Sequence, residues 1–129
     1  MNSLRFYCYA CYGLVPEAEG RCPHCGGPVE APPGTEYADL LLWALRHPVV
    51  DVVMTAVRIL GARRESRAVA PLRALARDSD DPYLAAEAVR SLVAIEGLET
   101  AREFLLEIAE SERIVPAAAA AHALARRSG

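Results

Sequence analysis

With 129 residues, of which 53% are apolar and 24% charged, the chain has the composition of a folded globular protein, which excludes wholesale disorder. Its formal charge of -3, carried against fourteen Arg and no Lys, excludes the strongly basic balance on which most nucleic-acid-binding domains rest. No apolar run reaches the length of a bilayer span, and "MNSLRFYCYACYG" has no continuous hydrophobic segment before its first cysteine, so a cytoplasmic protein without membrane contact is expected.

Residues 1–34 hold every cysteine and five of the eight glycines, and little helix-forming sequence. Within "YCYACYGLVPEAEGRCPHCGG", residues 7–27, Cys8 pairs with Cys11 and Cys22 with Cys25, each as Cys-x-x-Cys. Two intervening residues let one tight turn aim both sulfurs at a point, and two such turns facing each other build the tetrahedron of a four-thiolate metal site. The ten residues between the pairs leave room for a short β-hairpin. Pro23 fixes the second turn, and Gly26 and Gly27 permit positive φ just past Cys25, where backbone N–H groups reach the sulfurs; Gly13 serves similarly after Cys11, but a single place late. His24 is expected to point away from the tetrahedron. Zn2+ in a structural role is the leading reading, with Fe as its rival because a tetrahedral thiolate site accepts either metal. Disulfides would need an oxidising compartment, and a lone redox dithiol would leave the second pair unexplained.

"YCYACYG" followed by "RCPHCGGPV" resembles the paired knuckles of zinc ribbons and rubredoxin-like modules over roughly residues 6–30. The resemblance implies metal ligation by Cys8, Cys11, Cys22 and Cys25. The first knuckle departs from the common pattern, with Tyr12 where glycine is usual. A module this small cannot bury enough surface to fold alone, so metal binding and folding are expected to be one event, contributing on the order of 10 kcal/mol. Phe6, Leu14, Val15 and Val29 are expected to form its miniature core. Four protein thiolates leave the metal no open position, which argues against hydrolytic catalysis and for a protein that is not an enzyme.

"EAPPGT", residues 30–35, reads as a linker, which divides the chain into a ribbon at 1–30, a linker at 31–35 and a helical domain at 36–129. Beyond it helical signals recur at a fixed interval. "MTAVRIL" (54–60) aligns with "AEAVRSL" (86–92) at an offset of 32, and "VPAAAAAHAL" (115–124) follows 32 later. "DLLLWALRHP", "PLRALARDSD" and "FLLEIAES" align at offsets near 31 and 33. A period in the thirties with two helices per unit is the mark of a solenoid. The expected layout is a half unit (36–47), two helix pairs (49–61 with 67–78, 82–96 with 99–110) and a final half unit (114–127), about six helices in all. "SDDP" at 79–82 supplies a stop, a cap and a Pro at the first helical position, with "HPVVD" at 47–51 as its counterpart. Ala56, Ala85, Ala88, Ala120 and Ala121 would let helices approach closely, while Val57, Leu60, Leu72, Leu75, Val89, Leu92, Leu105 and Ile108 supply the apolar stripe. Trp43 sits on a helix that is apolar nearly all round, and is expected to be covered by the ribbon on one side and the first repeat on the other, rather than exposed as a binding hot spot.

"DPYLAAEAVRSLVAI" and "AVAPLRALARD" resemble the first and second helices of short bacterial HEAT-like repeats, and the resemblance spans roughly residues 38–127. It implies an all-α solenoid behind the ribbon; for function it implies only a class, since such repeats serve as scaffolds, regulators and a few enzymes. Second helices of such pairs normally line the concave face where partners bind. The polar positions there are Arg67, Arg73 and Arg77 in the first pair and Arg102, Glu103, Glu107 and Glu110 in the second, a pattern that changes sign and suits a partner protein better than a polyphosphate. "GARRESR" (61–67) is the one basic cluster, and Arg63, Arg64 and Arg67 would serve an alternative role in nucleic-acid binding. His47, at a helix end, and His122, on the last helix, have no neighbouring triad pattern; Asp78, Asp80 and Asp81 read as caps. Ile114, Ala117, Ala118, Ala121 and Leu124 on the last helix would leave an open apolar end that invites a partner subunit or a homodimer contact. The expected function is a non-catalytic adaptor with a structural zinc ribbon; nucleic-acid binding and rubredoxin-like electron transfer are the alternatives.

Overall fold

The computed structural model describes residues 6–17, 20–31 and 33–126. Pro32 of the linker and residue 127 at the expected end of the last helix lie outside them. In chain order the elements are β1 (Phe6–Tyr7), β2 (Leu14–Val15), α1 (Tyr37–Ala44), α2 (Val50–Ala62), a 3-10 turn (Ser66–Ala68), α3 (Val69–Asp78), α4 (Pro82–Glu96), α5 (Leu98–Ala109) and α6 (Ile114–Ala125).

The β-pairing lies elsewhere than between the two cysteine pairs. β1 and β2 are antiparallel, with Phe6 opposite Val15 and Tyr7 opposite Leu14, so the hairpin encloses the first Cys-x-x-Cys turn. An isolated antiparallel bridge between Arg21 and Pro28 encloses the second in the same way. The physical reason is that each turn reverses the chain, which brings its own flanks into register.

Among the helices, α4 packs between α2 and α6, and α3 and α5 pack over this layer, α3 against α4 and α5 against both α4 and α6; α1 packs on α2. The closest hairpins are therefore α1 with α2, α3 with α4 and α5 with α6, instead of α2 with α3 and α4 with α5. Small side chains explain the pairing, because Ala85, Ala86 and Ala88 on α4 and Ala119, Ala120 and Ala123 on α6 are buried where the neighbouring helices approach. The core repeats with the sequence: Leu60 and Leu92 in one layer, and Leu72 and Leu105 in the other, are all fully buried. Each such Leu contributes about 1.5–3 kcal/mol. Of the expected stripe, Leu75 is only half-buried, and Ala121, expected at a close helix approach, faces solvent.

Helix ends are set locally. Asp81 caps α4 as expected, its Oδ1 accepting from the Tyr83 and Leu84 N–H groups at 2.9 and 3.0 Å ahead of Pro82. α2 has no such side-chain cap; Val49 occupies the N-cap, and its N–H donates to His47 Nδ1. The C-terminal carbonyls of α3 are closed from a distance by Arg113, whose guanidinium donates to Ala76 O, Arg77 O and Ser79 O.

α2 and α4 approach closely at Gly61, where an added Cβ would lie 2.6 Å from Ser91 Oγ and 3.0 Å from Ser91 Cα. Ser91 is itself buried and donates to Val57 O at 2.9 Å, so it has nowhere to go. In Gly61→Ala, overpacking costs about 1–3 kcal/mol against about 1 kcal/mol gained in helix propensity, and a net fall in thermal or denaturant midpoint is expected. Adding Ser91→Gly should recover some of that loss in the same melt, because it removes the side-chain atoms in the way.

Candidate metal centre

The two Cys-x-x-Cys turns are near copies of each other. In the first, Cys8 N–H donates to Gly13 O at 2.9 Å and Tyr12 N–H to Cys8 O at 2.8 Å; in the second, Cys22 N–H donates to Gly27 O at 2.9 Å and Gly26 N–H to Cys22 O at 2.9 Å. Positive φ falls at the residue after the second cysteine of each turn, Gly26 at +76° and Tyr12 at +61°. Tyr12 thus takes the left-handed conformation that glycine takes in the second turn, at a cost of about 1 kcal/mol for a residue with a Cβ. The hydrogen bonds to sulfur survive this departure: Gly13 N–H reaches Cys11 Sγ at 3.3 Å, as Gly27 N–H reaches Cys25 Sγ at 3.4 Å. His24 N–H adds a third, to Cys22 Sγ at 3.3 Å.

These turns bring the four sulfurs within 4.8 Å of one another. Opposite edges of the cluster measure 3.7 Å between Cys8 and Cys25 and 3.8 Å between Cys11 and Cys22. A tetrahedral ion with metal–sulfur bonds of about 2.3 Å requires edges of about 3.8 Å, so these two edges already match a four-thiolate ion and the remaining sulfurs lie near enough to close on it. All four cysteines are free thiols, not disulfides. Cys8 and Cys22 are buried, and Cys11 and Cys25 face outward.

The electrostatics divide the sulfurs. Burial opposes ionisation of Cys22, but the N–H groups of Cys25 and His24 and the neighbouring thiols outweigh it, and the thiol is brought down to about 6. For Cys11 the Gly13 N–H favours the thiolate, yet desolvation and the three other cysteines push it up to about 11. Ionisation of all four thiols, as metal ligation requires, is thus opposed for at least one member of the set. A bound dication removes that penalty, and the backbone N–H groups spread the surplus negative charge of four thiolates.

Cys8, Val15, Cys22 and Val29 form the core of this module, with Phe6 and Ala10 packed on it. Leu14, expected there, is 44% exposed, because the Tyr7–Leu14 register turns its side chain outward while its carbonyl faces His24. His24 lies off the sulfur cluster: its Nε2 is 3.0 Å from Leu14 O, and its ring sits against Gly13, so it ties the second turn to the first.

The module docks on the first helix through aromatic residues. Trp43 stacks on Tyr9 with ring centroids 5.1 Å apart and its Nε1–H donates to Tyr9 O; Tyr12 lies 6.1 Å away, and Arg46 covers the indole at 4.5 Å. His47 packs between Tyr7 and Tyr12, at 4.4 and 4.8 Å. Burial pushes the His47 imidazole down, so the residue is a packing element and a neutral acceptor for Val49 N–H, not a cation at a helix end. The ribbon covers Trp43. Sequence reasoning did not foresee the dock's tyrosines, although a signal exists: three of the chain's five fall at Tyr7, Tyr9 and Tyr12, in and around the first turn.

The other expected site residues are placed as follows. Arg73, Arg77, Glu103 and Glu107 line one groove between α3 and α5, with Thr100 and Phe104 as its remaining walls and a volume of about 200 Å³. Arg77 pairs with Glu107 at 2.7 Å, Arg73 with Glu96 at 3.0 Å, and both guanidinium groups lie over the Phe104 ring. Arg102 and Glu110 are exposed outside it, and Arg67 binds Asp39 and Glu65 instead. The basic turn does not gather: Arg63 lies over Tyr37, while Arg64, at φ +53°, lines another pocket with Arg90 and Arg126. On α6, Ile114, Ala118 and Ala121 are exposed, and Ala117 and Leu124 half-buried.

Stacked antiparallel helices with a core that recurs every thirty-odd residues define an α-solenoid, here preceded by a paired-knuckle module whose four cysteines cluster within metal-binding distance. The family model for HEAT repeats matches residues 38–125, and the chain belongs to the HEAT-repeat family. Neither curated proteins nor solved structures gave a match. No helix among the described residues is long and apolar enough to cross a membrane.

Cys22→Ser removes a buried ligand, and the ribbon should lose its metal and its fold. Because the helical core is a separate cluster, far-ultraviolet circular dichroism should keep most of its helical signal. Loss of the whole signal would show that ribbon and solenoid form one cooperative unit.

Proposed function

We propose that this protein is a non-catalytic adaptor of a reducing, cytoplasmic compartment, in which a structural zinc ribbon is carried on a short HEAT-repeat solenoid that binds another protein. The donor set carries the reading. Four cysteine sulfurs lie within 4.8 Å of one another and His24 is turned to a backbone carbonyl, so protein sulfur fills each position of a tetrahedral ion and leaves none for substrate. When bound, zinc supplies charge neutralisation and folding free energy; the chain's own residues hold it, Cys8 and Cys22 from inside the module, Cys11 and Cys25 from its rim. Elemental analysis of protein isolated under reducing conditions is expected to give one zinc per chain in a colourless solution. A red protein with visible charge-transfer bands would assign the site to iron and electron transfer instead.

Partner recognition is assigned to the groove between α3 and α5. Its alternating Arg73, Arg77, Glu103 and Glu107 around an aromatic floor suit a polypeptide of mixed charge. Continuous phosphate would meet two carboxylates in the same groove, and Arg63, Arg64 and Arg67 diverge, so the 61–67 turn does not form the basic patch that the nucleic-acid alternative needs. The exchange Arg77→Glu with Glu107→Arg keeps an ion pair but reverses its sense. We expect its melting curve to match the wild type and the partners captured by the wild type from native cell extract to be lost. Retention of all those partners would move recognition off this groove.

A further inference from the structure

We propose that metal occupancy of the four-cysteine site governs whether the ribbon is docked on α1, so that the Trp43 face of the solenoid is covered in the loaded protein and uncovered when the metal is withdrawn. The proposal rests on the metal-binding reading above.

The dock is made by the metal loop itself. Tyr9, which stacks on Trp43 and accepts its indole N–H, lies between two ligands, Cys8 and Cys11. Tyr12, which reaches both Trp43 and His47, follows Cys11 directly. Their positions are fixed by the closed turn: Tyr9 N–H donates to Val29 O, Tyr12 N–H donates to Cys8 O, and the left-handed backbone of Tyr12 is followed at once by the Gly13 N–H bond to Cys11 Sγ. Beyond the β1–β2 pairing and the His24 contact to Leu14 O, little else holds that turn. Two of the four buried side chains in the module's core, Cys8 and Cys22, are ligands themselves, which leaves Val15 and Val29 as its buried aliphatic residues. Once the ion is gone, the bonds from Cys8 and Cys11 to it no longer offset the positive φ at Tyr12, only a two-residue strand pairing, the His24 contact and two buried valines remain, and the rings that grip Trp43 lose their support.

The solenoid has no such dependence. Leu41 of α1 is buried in the helical core with Val53, Val57 and Leu60, so α1 stays on α2 when the ribbon leaves. What is released is one face of α1 carrying the indole, with Arg46 and His47 beside it. Reciprocity follows from linkage: if the metal favours docking, docking favours the metal by the same factor.

Trp43 is the only tryptophan in the chain, and so reports this contact by itself. The experiment uses the full-length zinc-loaded protein, a high-affinity chelator, indole fluorescence with acrylamide quenching, helical circular dichroism, and a colorimetric assay of released zinc. Withdrawal of zinc is expected to shift indole emission to longer wavelength and raise its quenching, with helical dichroism kept, and zinc re-addition should reverse both. Zinc release with unchanged emission and quenching would overturn the proposal, as would collapse of the helical signal together with the shift. Absence of stoichiometric zinc in the starting protein would instead overturn the metal reading on which it rests. Tyr12→Gly separates the two further: glycine suits the positive φ, so zinc stoichiometry should hold, while loss of the ring should give the loaded variant a red-shifted, more quenchable indole. A loaded variant with wild-type emission and quenching would refute the dock through Tyr12.

Discussion

Four thiols whose sulfurs lie within 4.8 Å of one another can all be ionised together only around a shared cation. Without one, the charge divides unevenly: Cys11 is pushed up, despite its Gly13 N–H, by burial and the other cysteines, while Cys22 is brought down. With one, the same crowding becomes a closed coordination shell whose free energy, on the order of 10 kcal/mol, exceeds what two buried valines can contribute. The remaining features of the amino-terminal module follow from that constraint. Each turn must reverse tightly, hence the matched hydrogen bonds around Cys8 and Cys22, and each turn must expose backbone N–H groups to sulfur, hence the positive φ at Tyr12 and Gly26.

The solenoid is held differently, by repetition. Leu60, Leu72, Leu92 and Leu105 are buried completely, and their summed contribution dwarfs that of the ion pairs that run between successive units. Arg58 with Glu87, Arg67 with Asp39 and Arg77 with Glu107 are such pairs, and each joins residues about one period apart. They are exposed on at least one side, so each is worth about 0–1 kcal/mol. Their role is register: a slipped stacking of one helix on the next would leave several guanidinium groups facing no carboxylate. Arg113 does the same for the turn ahead of α4, anchoring the start of α6 to the carbonyls that end α3.

Much of this was legible in the sequence because its causes are local or periodic. Cys-x-x-Cys spacing dictates a turn by chain geometry alone, and the offset of 32 between "MTAVRIL" and "AEAVRSL" places α2 and α4 in equivalent positions whatever surrounds them. Asp81 followed by Pro82 marks a helix start for the same reason. What was not legible depends on long-range contact. Leu14 reads as core by hydrophobicity, yet the pairing register turns it outward. Tyr12 reads as a defect in a knuckle until Trp43, thirty-one residues later in the chain, is seen to receive its ring. The polar residues of α3 and α5 read as a free surface, because their carboxylate and guanidinium partners lie on different helices and meet only once those helices stack.

That last point decides how a partner would engage the groove. The two ion pairs bordering Phe104 are not equivalent. In Arg73 with Glu96 the carboxylate side chain is only 10% exposed, so pulling the guanidinium away would strand a largely buried charge, at a cost of several kcal/mol. In Arg77 with Glu107 the side chains are 48% and 53% exposed, and separating them costs about 0–1 kcal/mol because water solvates both. Arg73 is therefore a fixed wall, and Arg77 with Glu107 is the exchangeable element: an incoming carboxylate takes Arg77, an incoming cation takes Glu107, and the Phe104 ring that both arginines cover gains contact as Arg77 swings off it. On the proposed reading, a surface neutral in the free protein would become specific on contact, reading the order of opposite charges along a partner and not their sum.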